Sequence, residues 1–363
     1  MKKILFLIPT LGGGGAEKVL VNLVNSLDKT KFKITVITLF AGGVNAQYLD
    51  QNIEYKSIFR RQFRGNSHIL KLFSPHFLYE RMIKGRYDTI ISFLEGPTTR
   101  IVSGCDKDTK LIAWIHTEKS SDYVSSFRSY KEMIDGHKKF SNIICVSDNV
   151  KANFDKFTKN QFTKKNSVIK NIINFKEIER LAKEKVEKDS SKFRILCIGR
   201  LTKVKDFSRM LDILYRLNAK LDNLELLILG TGPEEENLKK KIKELNLTNV
   251  QMLGYQENPY KFLASADLYV CSSHFEGFST STTEAIILNK PIVTTDCSGM
   301  KDLLENGDCG IIVDDNDKQL YEAMLRVITD DKIRHDIINC QQEKITKMKK
   351  QRKADLDAIE KEL

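Results

Sequence analysis

The sequence predicts an α/β protein built of two doubly wound domains. Two series of apolar runs, one in each half of the chain, alternate with amphipathic helical segments. Continuous apolar strands separated by helices indicate parallel sheets that are covered on both faces. A length of 363 residues also exceeds the usual size of a single hydrophobic core, which favours two domains.

The strand-like runs of the first half read KKILFLIP, FKITVITLF, TIISFL, KLIAWIH and NIICVS. Those of the second half read RILCIGR, LELLILG, VQMLG, DLYVCSS and PIVTTD. The helical pattern between them is clearest in residues 16–27, where apolar positions recur on one face. We expect an N-terminal domain at 1–170, a linker at 171–192, a C-terminal domain at 193–330 and a charged C-terminal helix at 331–363.

Composition narrows the class of protein. No apolar run approaches the roughly 18–20 residues of a membrane-spanning helix, and the first residues read as a strand and a glycine turn rather than a cleaved leader. The seven cysteines are scattered without a C-x-x-C pair. We therefore expect reduced packing cysteines, no zinc site and a cytoplasmic location.

The net charge of +11 is unevenly distributed. Residues 1–170 hold 28 Lys and Arg against 15 Asp and Glu, whereas residues 171–363 hold 31 against 33. This asymmetry indicates that the first half faces an anionic partner, either nucleic acid or a membrane surface. Because no helix-turn-helix or RNA-binding motif is present, a nucleic acid is the less favoured of the two.

Ligands of open α/β sheets bind outside the carboxyl ends of the strands, so the loops there are the first candidates for a site. The loop PTLGGGGAEKV carries Gly13, Gly14 and Gly15 between a strand and a helix. Glycines let the backbone approach a ligand, and the following helix N-terminus attracts negative charge. The spacing is neither G-x-G-x-x-G nor a Walker A loop, and a flexible tight turn is an equally good interpretation.

Two further loops carry basic or titratable side chains. In GRLTKVKDF, Arg200 and Lys205 could converge on a diphosphate, although basic loop residues are usually only solvated. In WIHTEKS, His116 ends an apolar strand and could serve a reaction centre, although a histidine that satisfies backbone groups is more common there.

The stretch SSHFEGFSTSTTEAI contains two acids eight positions apart. Glu276 lies in a strand-to-helix loop, and Glu284 lies about one turn into the next helix. Between them, Ser279, Thr280 and Ser281 offer hydroxyls and helix N-terminal amides to an anion. The spacing of Ser281 and Glu284 alone favours a capping box, in which the glutamate caps its own helix. No comparable explanation accounts for Glu276.

Taken together in their order along the chain, these loops resemble those of the retaining glycosyltransferases of family 4. Those enzymes have the GT-B fold, which consists of two Rossmann-like domains with a cleft between them. The resemblance runs nearly end to end through GGGGAEKVLVNL, CVSDNVKANF, VIKNIINF, GRLTKVKDF and LLENGDCGIIVDDND. Its most specific part is FEGFSTSTTEAIILNKPIVTTDCSGMKDLL, which is similar to the family's Glu-x7-Glu motif.

The resemblance implies a catalytic role for four side chains. Glu276 would lie beside the donor sugar, and His116 would contact that sugar near the bond that is broken. Arg200 and Lys205 would neutralise the diphosphate leaving group.

The resemblance also implies how the nucleotide is bound. Glu284 would accept hydrogen bonds from the ribose hydroxyls, and Gly254 and Tyr255 would lie near the base. Six residues would supplement the diphosphate site, mainly through backbone amides: Gly13, Gly14, Gly15, Ser279, Thr280 and Ser281. The family often has Gly-Phe-Gly or Gly-Phe-Pro after the first glutamate, whereas this chain has Gly277, Phe278 and Ser279. The sequence therefore does not identify the donor sugar.

The family implies transfer of a hexosyl group from a nucleotide sugar, with UDP as the expected carrier and retention at the anomeric carbon. No Asp-x-Asp motif stands at a diphosphate-binding strand end, and VDDND at residues 313–317 lies beyond the expected site. We therefore expect metal-independent chemistry in which cations and helix N-termini stabilise the leaving group. No cofactor is expected, because the nucleotide sugar is a substrate.

The expected acceptor is a lipid-linked glycan or an oligosaccharide, extended for a surface or capsular polysaccharide. Residues 59–86 interleave basic and apolar side chains as an interfacial amphipathic helix does. The residues concerned are Arg60, Arg61, Arg64, Lys71 and Arg81 with Phe63, Leu70, Leu72, Phe73 and Phe77. This pattern predicts a peripheral enzyme on the inner face of the cell membrane; a core-packed helix with a solvated basic face fits equally well.

Three alternatives stay open at this point. A sugar-nucleotide epimerase or a glycan phosphorylase shares the sheets but lacks the setting of the two glutamates. An inactive partner subunit of a transferase would keep the fold without turnover. A basic nucleic-acid-binding module is the least supported alternative.

Overall fold

The computed structural model divides into two compact units, unit 1 (Met1–Ile173 and Gln351–Leu363) and unit 2 (Asn174–Lys350). The structure describes residues 1–61, 66–106, 108–117, 120–276, 279–297 and 299–363. The domain scheme expected from the sequence needs two corrections. Residues 174–192 of the expected linker belong to unit 2, and the C-terminal helix is shared between the units.

Unit 1 contains, among its described residues, a seven-stranded sheet in the order β3-β2-β1-β4-β5-β6-β7, in which all neighbours are parallel. Its strands are β1 (Lys2–Ile8), β2 (Phe32–Phe40), β3 (Glu54–Phe59), β4 (Thr89–Phe93), β5 (Lys110–Ile115), β6 (Asn142–Cys145) and β7 (Asn166–Val168). The five runs expected as strands are confirmed. Strands β3 and β7 lie at the two sheet edges and were not expected.

The helices of unit 1 are short, and three of them begin at a capping serine. Ser74, Ser129 and Ser147 each accept a hydrogen bond from a backbone N–H in the first turn of the helix that follows. The helices are α1 (Gly15–Ser26), α2 (Asn66–Leu72), α3 (Pro75–Met82), α4 (Pro97–Val102), α5 (Ser120–Val124), α6 (Tyr130–Lys138) and α7 (Asp148–Phe157).

The prediction of one amphipathic helix across residues 59–86 is wrong. Strand β3 ends at Phe59, and two helices, α2 and α3, follow. The break between them has a local cause, because Pro75 is tolerated only in the first turn of a helix and Ser74 caps that turn. The predicted positions Phe63 and Arg64 lie outside the described residues.

Unit 2 contains a six-stranded parallel sheet, counted over its described residues, in the order β10-β9-β8-β11-β12-β13. Its strands are β8 (Phe193–Ile198), β9 (Leu224–Leu229), β10 (Val250–Gly254), β11 (Leu268–Cys271), β12 (Ile292–Thr295) and β13 (Ile311–Val313). The five expected runs are again confirmed, and the three-residue edge strand β13 was not expected. The reversal of strand order at β8 and β11 makes this sheet doubly wound.

The helices of unit 2 cover both faces of this sheet. Helix α9 packs Met210, Leu214 and Leu217 into the core formed with β8 and β9. Helix α8 buries Phe175 and Ile178, which explains why the expected linker is part of the unit. The helices are α8 (Phe175–Leu181), α9 (Phe207–Asn218), α10 (Glu235–Glu244), α11 (Tyr260–Ser265), α12 (Thr280–Ile287), α13 (Met300–Leu303), α14 (Asp317–Thr329) and α15 (Asp331–Glu362).

The end of α15 belongs to unit 1 and is anchored there by several contacts. Lys31 forms an ion pair with Glu360 at 2.7 Å, and Arg352 donates to the carbonyl of Ile173 at 2.8 Å. The terminal residue Leu363 is buried. The last part of the charged tail, Gln351–Leu363, is therefore a packed element of unit 1. Among the described residues, no helix has the length and apolarity that crossing a membrane requires.

The expectation that all seven cysteines are reduced is wrong for one pair. Cys309, just before β13, and Cys340, on α15, form a disulfide. The remaining five cysteines are free and buried. The two bonded residues are 31 positions apart, so the sequence spacing gave no sign that α15 brings them together.

Candidate active site

The carboxyl ends of β8, β9 and β10 are brought close together by glycines. Gly230 has φ +135°, and a Cβ there would lie 1.9 Å from the carbonyl oxygen of Gly199. The N–H of Gly230 donates to the carbonyl of Gly254 at 2.8 Å. Only glycine allows this approach at position 230, and the three strand ends therefore form one rim.

A second close approach fixes the loop that carries the predicted cations. A Cβ on Gly232 would lie 2.3 Å from the carbonyl oxygen of Leu201, which also accepts the N–H of Glu234 at 3.0 Å. The loop after β8 thus rests on the loop after β9. Sequence reasoning missed Gly230 and Gly232, although a Gly-Thr-Gly sequence directly after a strand was a usable signal.

The structure brings two predicted catalytic residues from separate loops into contact. The Lys205 ammonium forms an ion pair with Oε1 of Glu276, which also accepts a hydrogen bond from the Ser273 hydroxyl at 2.7 Å. The thiol of Cys271 lies 3.6 Å from the same oxygen. Glu276 is buried, whereas Arg200, on the Lys205 loop, has an exposed side chain.

The backbone around this ion pair is fixed by buried hydroxyls and a thiol. The Ser272 hydroxyl donates to the carbonyl of Lys205 at 2.8 Å. Thr295, at the end of β12, donates to the carbonyl of Ser273 at 2.5 Å, and the Cys297 thiol reaches the same carbonyl at 2.7 Å. The Glu276 loop is thereby tied both to the Lys205 loop and to the neighbouring strand.

The second glutamate has a different role from the one that its spacing suggests. Helix α12 begins at Thr280, and the hydroxyl of Ser279 accepts the N–H of Thr282 at 3.3 Å, so Ser279 is the N-cap. Glu284 consequently lies inside the helix, where the Tyr260 hydroxyl donates to its Oε1 at 3.0 Å. The expected capping box is therefore wrong, because the helix begins two residues earlier than the box requires.

Ser281, Gly254 and Tyr255, three further predicted nucleotide-binding residues, lie on the same unit. The hydroxyl of Ser281 accepts a hydrogen bond from the Tyr269 hydroxyl at 2.7 Å. Gly254 has φ +65° and open space where a Cβ would be, and Tyr255 is 43% exposed. Partial burial raises the pKa of the Tyr255 hydroxyl. The predicted departure at Gly277 and Phe278 lies outside the described residues.

In unit 1, His116 follows the end of β5 and is half-buried. Its ring packs against Phe93 with 4.6 Å between the ring centroids. Its Nε2 atom is buried and has no hydrogen-bond partner among the residues that the structure describes. Burial lowers the pKa of His116 to about 3, so the imidazole is neutral near pH 7 and keeps one unused hydrogen-bonding nitrogen.

A residue that the sequence analysis missed lies next to His116. The carboxylate of Glu95, which follows β4, accepts the backbone N–H of His116 at 2.9 Å. Burial raises the pKa of Glu95 to about 7, against the opposing effect of backbone hydrogen bonds. Its neighbours Leu94 and Gly96 both have positive φ angles, 97° and 99°. Such strain is typical of functional positions, and the acid in LEGP after a strand was the available signal.

The glycine loop of unit 1 is exposed at Gly13, Gly14 and Gly15. Helix α1 begins at Gly15 with Gly14 as its N-cap, and a Cβ on Gly14 would lie 2.3 Å from Oε2 of Glu17. The side chain of Asn45 donates to the carbonyl of Gly12. The first turn of α1 already holds one carboxylate, that of Glu17, which disfavours a second anion at that point.

Comparisons with known protein families identify the family to which the chain belongs. Residues 13–177 match the family model "Glycosyltransferase Family 4", and residues 179–344 match "Glycosyl transferases group 1". The chain belongs to glycosyltransferase family 4. It is therefore an enzyme of the transferase class, as the sequence motifs indicated.

Two relatives and one solved structure extend the comparison over most of the chain. A 4-alpha-N-acetylgalactosaminyltransferase of Campylobacter jejuni, whose name specifies a diphospho-undecaprenol glycan, is 29% identical over 92% of each chain. An alpha-1,4-N-acetyl-D-galactosaminyltransferase of the same organism is 27% identical over 93% of this chain and 92% of its own. Anabaena HepE, solved with UDP-glucose, has a TM-score of 0.74 at 18% identity, covering 99% of this chain and 100% of its own. This similarity confirms the GT-B fold.

Proposed function

We propose that this glycosyltransferase moves a hexosyl group from a UDP-linked sugar to a lipid-linked or oligosaccharide acceptor, with retention at the anomeric carbon and without a metal ion. The reaction would extend a surface or capsular polysaccharide. The observation that carries the proposal is the ion pair of Lys205 and Glu276, which places a cation and an acid from separate loops together at the carboxyl ends of the unit 2 strands.

The cations suit a diphosphate leaving group. Arg200 supplies an exposed guanidinium on the loop that also carries Lys205. A planar guanidinium binds two phosphate oxygens at once, and an ammonium adds a point charge. Because charge develops on the departing diphosphate, cations fixed in advance lower the barrier in the way that a metal ion does elsewhere.

The acid suits the donor sugar. The described residues that contact the Glu276 carboxylate converge on Oε1, and no hydrogen bond from them reaches Oε2. Oε2 can therefore accept hydroxyls of the sugar while Lys205 turns to the phosphate. Retention follows from the family resemblance, in which the acceptor attacks on the face that the leaving group departs from.

The nucleoside end has a matching acid. Glu284 is buried and held by Tyr260 through one oxygen, so its position is fixed before ligand binding. A carboxylate in this setting accepts bonds from vicinal ribose hydroxyls. Solved HepE contains UDP-glucose, which supports UDP as the carrier here.

In unit 1, the neutral His116 supplies a hydrogen bond without adding charge.

A lipid-linked acceptor is supported by the relatives and by a surface of unit 1. The first C. jejuni relative carries a diphospho-undecaprenol glycan in its name. Four side chains of α2, α3 and their junction, which we name the α2–α3 patch, are 42–74% exposed although apolar. They are Ile69, Leu72, Phe73 and Phe77. Exposed cations, Arg81 and Arg128, lie on the same helices or contact them, and this pairing fits an anionic bilayer surface.

The proposal is tested by incubating the enzyme with a panel of nucleotide sugars, with and without an undecaprenyl-diphosphate glycan, and by measuring UDP release. We expect acceptor-dependent release from a UDP-sugar that persists in EDTA. The new linkage, examined by NMR, should have the anomeric configuration of the donor.

Three results would contradict the proposal. Release that requires inorganic phosphate and yields a sugar phosphate indicates a phosphorylase. Acceptor-independent conversion of one UDP-sugar into its epimer indicates an epimerase. An inverted linkage would refute retention while leaving the transferase activity intact.

A further inference from the structure

Two side chains that the proposed reaction does not use connect three loops of unit 2. Arg209 lies in the first turn of α9, and His274 lies in the loop between β11 and α12. Their partners are Asp206, which follows Lys205, and Asp315 and Asp317, from the loop before α14 and its first residue. We name these five residues the Arg209 cluster.

The buried guanidinium of Arg209 is the centre of this cluster. Its Nη1 donates to Asp315 at 2.5 Å and to the carbonyl of Ser272 at 3.3 Å. Its Nε and Nη2 both reach Asp317, at 2.9 and 2.6 Å, and Nε lies 3.7 Å from Asp206. One side chain thus links the loop after β11, the loop before α14 and the start of α9. A lysine has no planar fork and cannot reproduce these bonds.

The imidazole of His274 bridges two acids of the same cluster. Its Nδ1 lies 2.6 Å from Asp315 and its Nε2 lies 3.0 Å from Asp206. With one ring nitrogen facing each acid, the imidazole links the loop that carries Lys205 to the loop before α14. The backbone N–H of His274 also donates to the carbonyl of Val204 at 2.8 Å.

Two members of the Arg209 cluster lie close in sequence to Lys205 and Glu276, the two residues that carry the proposed chemistry. Asp206 directly follows Lys205 and has φ +42°, a left-handed conformation that needs support from its surroundings. His274 stands two positions before Glu276. A change in the cluster therefore acts on the backbone that carries the ammonium and the carboxylate.

We propose that Arg209 and His274 are positioning residues for the donor diphosphate, acting through Lys205. This inference rests on the proposed function, because it concerns the same diphosphate. It also revises one expectation from the sequence: the acids of VDDND, expected beyond the site, hold the side chains that fix the Lys205 loop.

The test compares the binding of UDP and of uridine by calorimetry in the wild type, Arg209→Lys and His274→Gln. We expect each variant to weaken UDP binding roughly tenfold, as one impaired charge-assisted contact does, while uridine binding changes less than about twofold. Arg216→Lys is the matched control, since Arg216 lies on the same helix but stacks on Tyr321. That control should bind both ligands like the wild type.

A double-mutant cycle shows whether the effect passes through Lys205. In a Lys205→Ala background, Arg209→Lys should change UDP affinity by less than about twofold, because the group that it positions has been removed. Independent, additive losses would overturn the proposal. So would an equal loss of UDP and uridine binding, which indicates general damage to the unit, or wild-type UDP affinity in both single variants.

Failure of the proposed function gives a different result. If the wild type binds another nucleoside diphosphate in place of UDP, the choice of carrier is wrong, and the same comparison with that nucleotide decides the positioning role. A wild type that binds no nucleoside diphosphate overturns both proposals.

Discussion

At the residue scale, Glu95 and His116 illustrate how one small region of unit 1 shifts two pKa values in opposite directions. Burial raises the pKa of the acid to about 7 and lowers that of the imidazole to about 3. In both cases the neutral form is favoured, because the surroundings are poorly solvated. Paired shifts of this kind are found at functional sites more often than elsewhere.

The shift at Glu95 predicts a particular dependence of stability on pH. Because its folded pKa exceeds its unfolded value, its contribution to stability is complete below about pH 4.5 and is lost as the pH rises to about 7. Glu95→Gln cannot ionise, so its thermal midpoint relative to the wild type should rise across this window, by the equivalent of about 1–3 kcal/mol.

The control for this comparison is Glu236→Gln, the same substitution at a side chain that is 85% exposed. The hydrogen bonds altered in Glu95→Gln shift the thermal midpoint by the same amount at every pH. Only the change with pH of the midpoint difference between variant and wild type is therefore diagnostic. A midpoint difference between Glu95→Gln and the wild type that stays constant from pH 4.5 to 7 would refute the assigned burial.

At the element scale, the junction of α2 and α3 shows how a polar scaffold holds apolar side chains at the surface. Arg100 is 1% exposed and donates to the carbonyls of Leu70 and Phe73 at 2.8 and 2.7 Å, while it forms an ion pair with Glu132. These bonds satisfy the carbonyls that the end of a helix leaves open. The rings of Phe73 and Phe77 stack outside this scaffold, 5.2 Å apart.

This arrangement predicts a separation of membrane binding from folding. The double variant Phe73→Ser, Phe77→Ser should lose most binding to vesicles that contain anionic lipid at low salt, measured by co-sedimentation. Its thermal midpoint should stay close to that of the wild type, because both rings are already exposed to water.

Tyr215→Ser is the matched control, since it removes a ring that is 55% exposed on unit 2. It should sediment with vesicles as the wild type does. Retention of the double variant on vesicles, or failure of the wild type to bind them, would contradict membrane binding by the α2–α3 patch.

At the scale of the whole molecule, periodicity predicted ten strands and the α/β class, because buried parallel strands appear as continuous apolar runs. The edge strands β3, β7 and β13 gave no such signal, since part of each is open to solvent. The disulfide of Cys309 and Cys340 depends on the path of α15, which local sequence does not encode.

The candidate site was only partly predictable for the same reason. Glu276 and Lys205 stand out as charged residues in strand-end loops, and their contact agrees with the motif. Arg209 and Asp315 look like ordinary solvated charges in the sequence, and only the fold shows that they meet. The role of Glu284 depended on which serine caps α12, which spacing alone assigned to the wrong residue.

The role of Glu276 is tested by the steady-state turnover of Glu276→Gln with a UDP-sugar and a lipid-linked acceptor, together with its affinity for UDP. If Glu276 acts on the donor sugar and not on the nucleotide, kcat should fall at least about 100-fold while UDP affinity stays within about twofold of the wild type. Turnover equal to that of the wild type would contradict the assignment of Glu276 to the reaction.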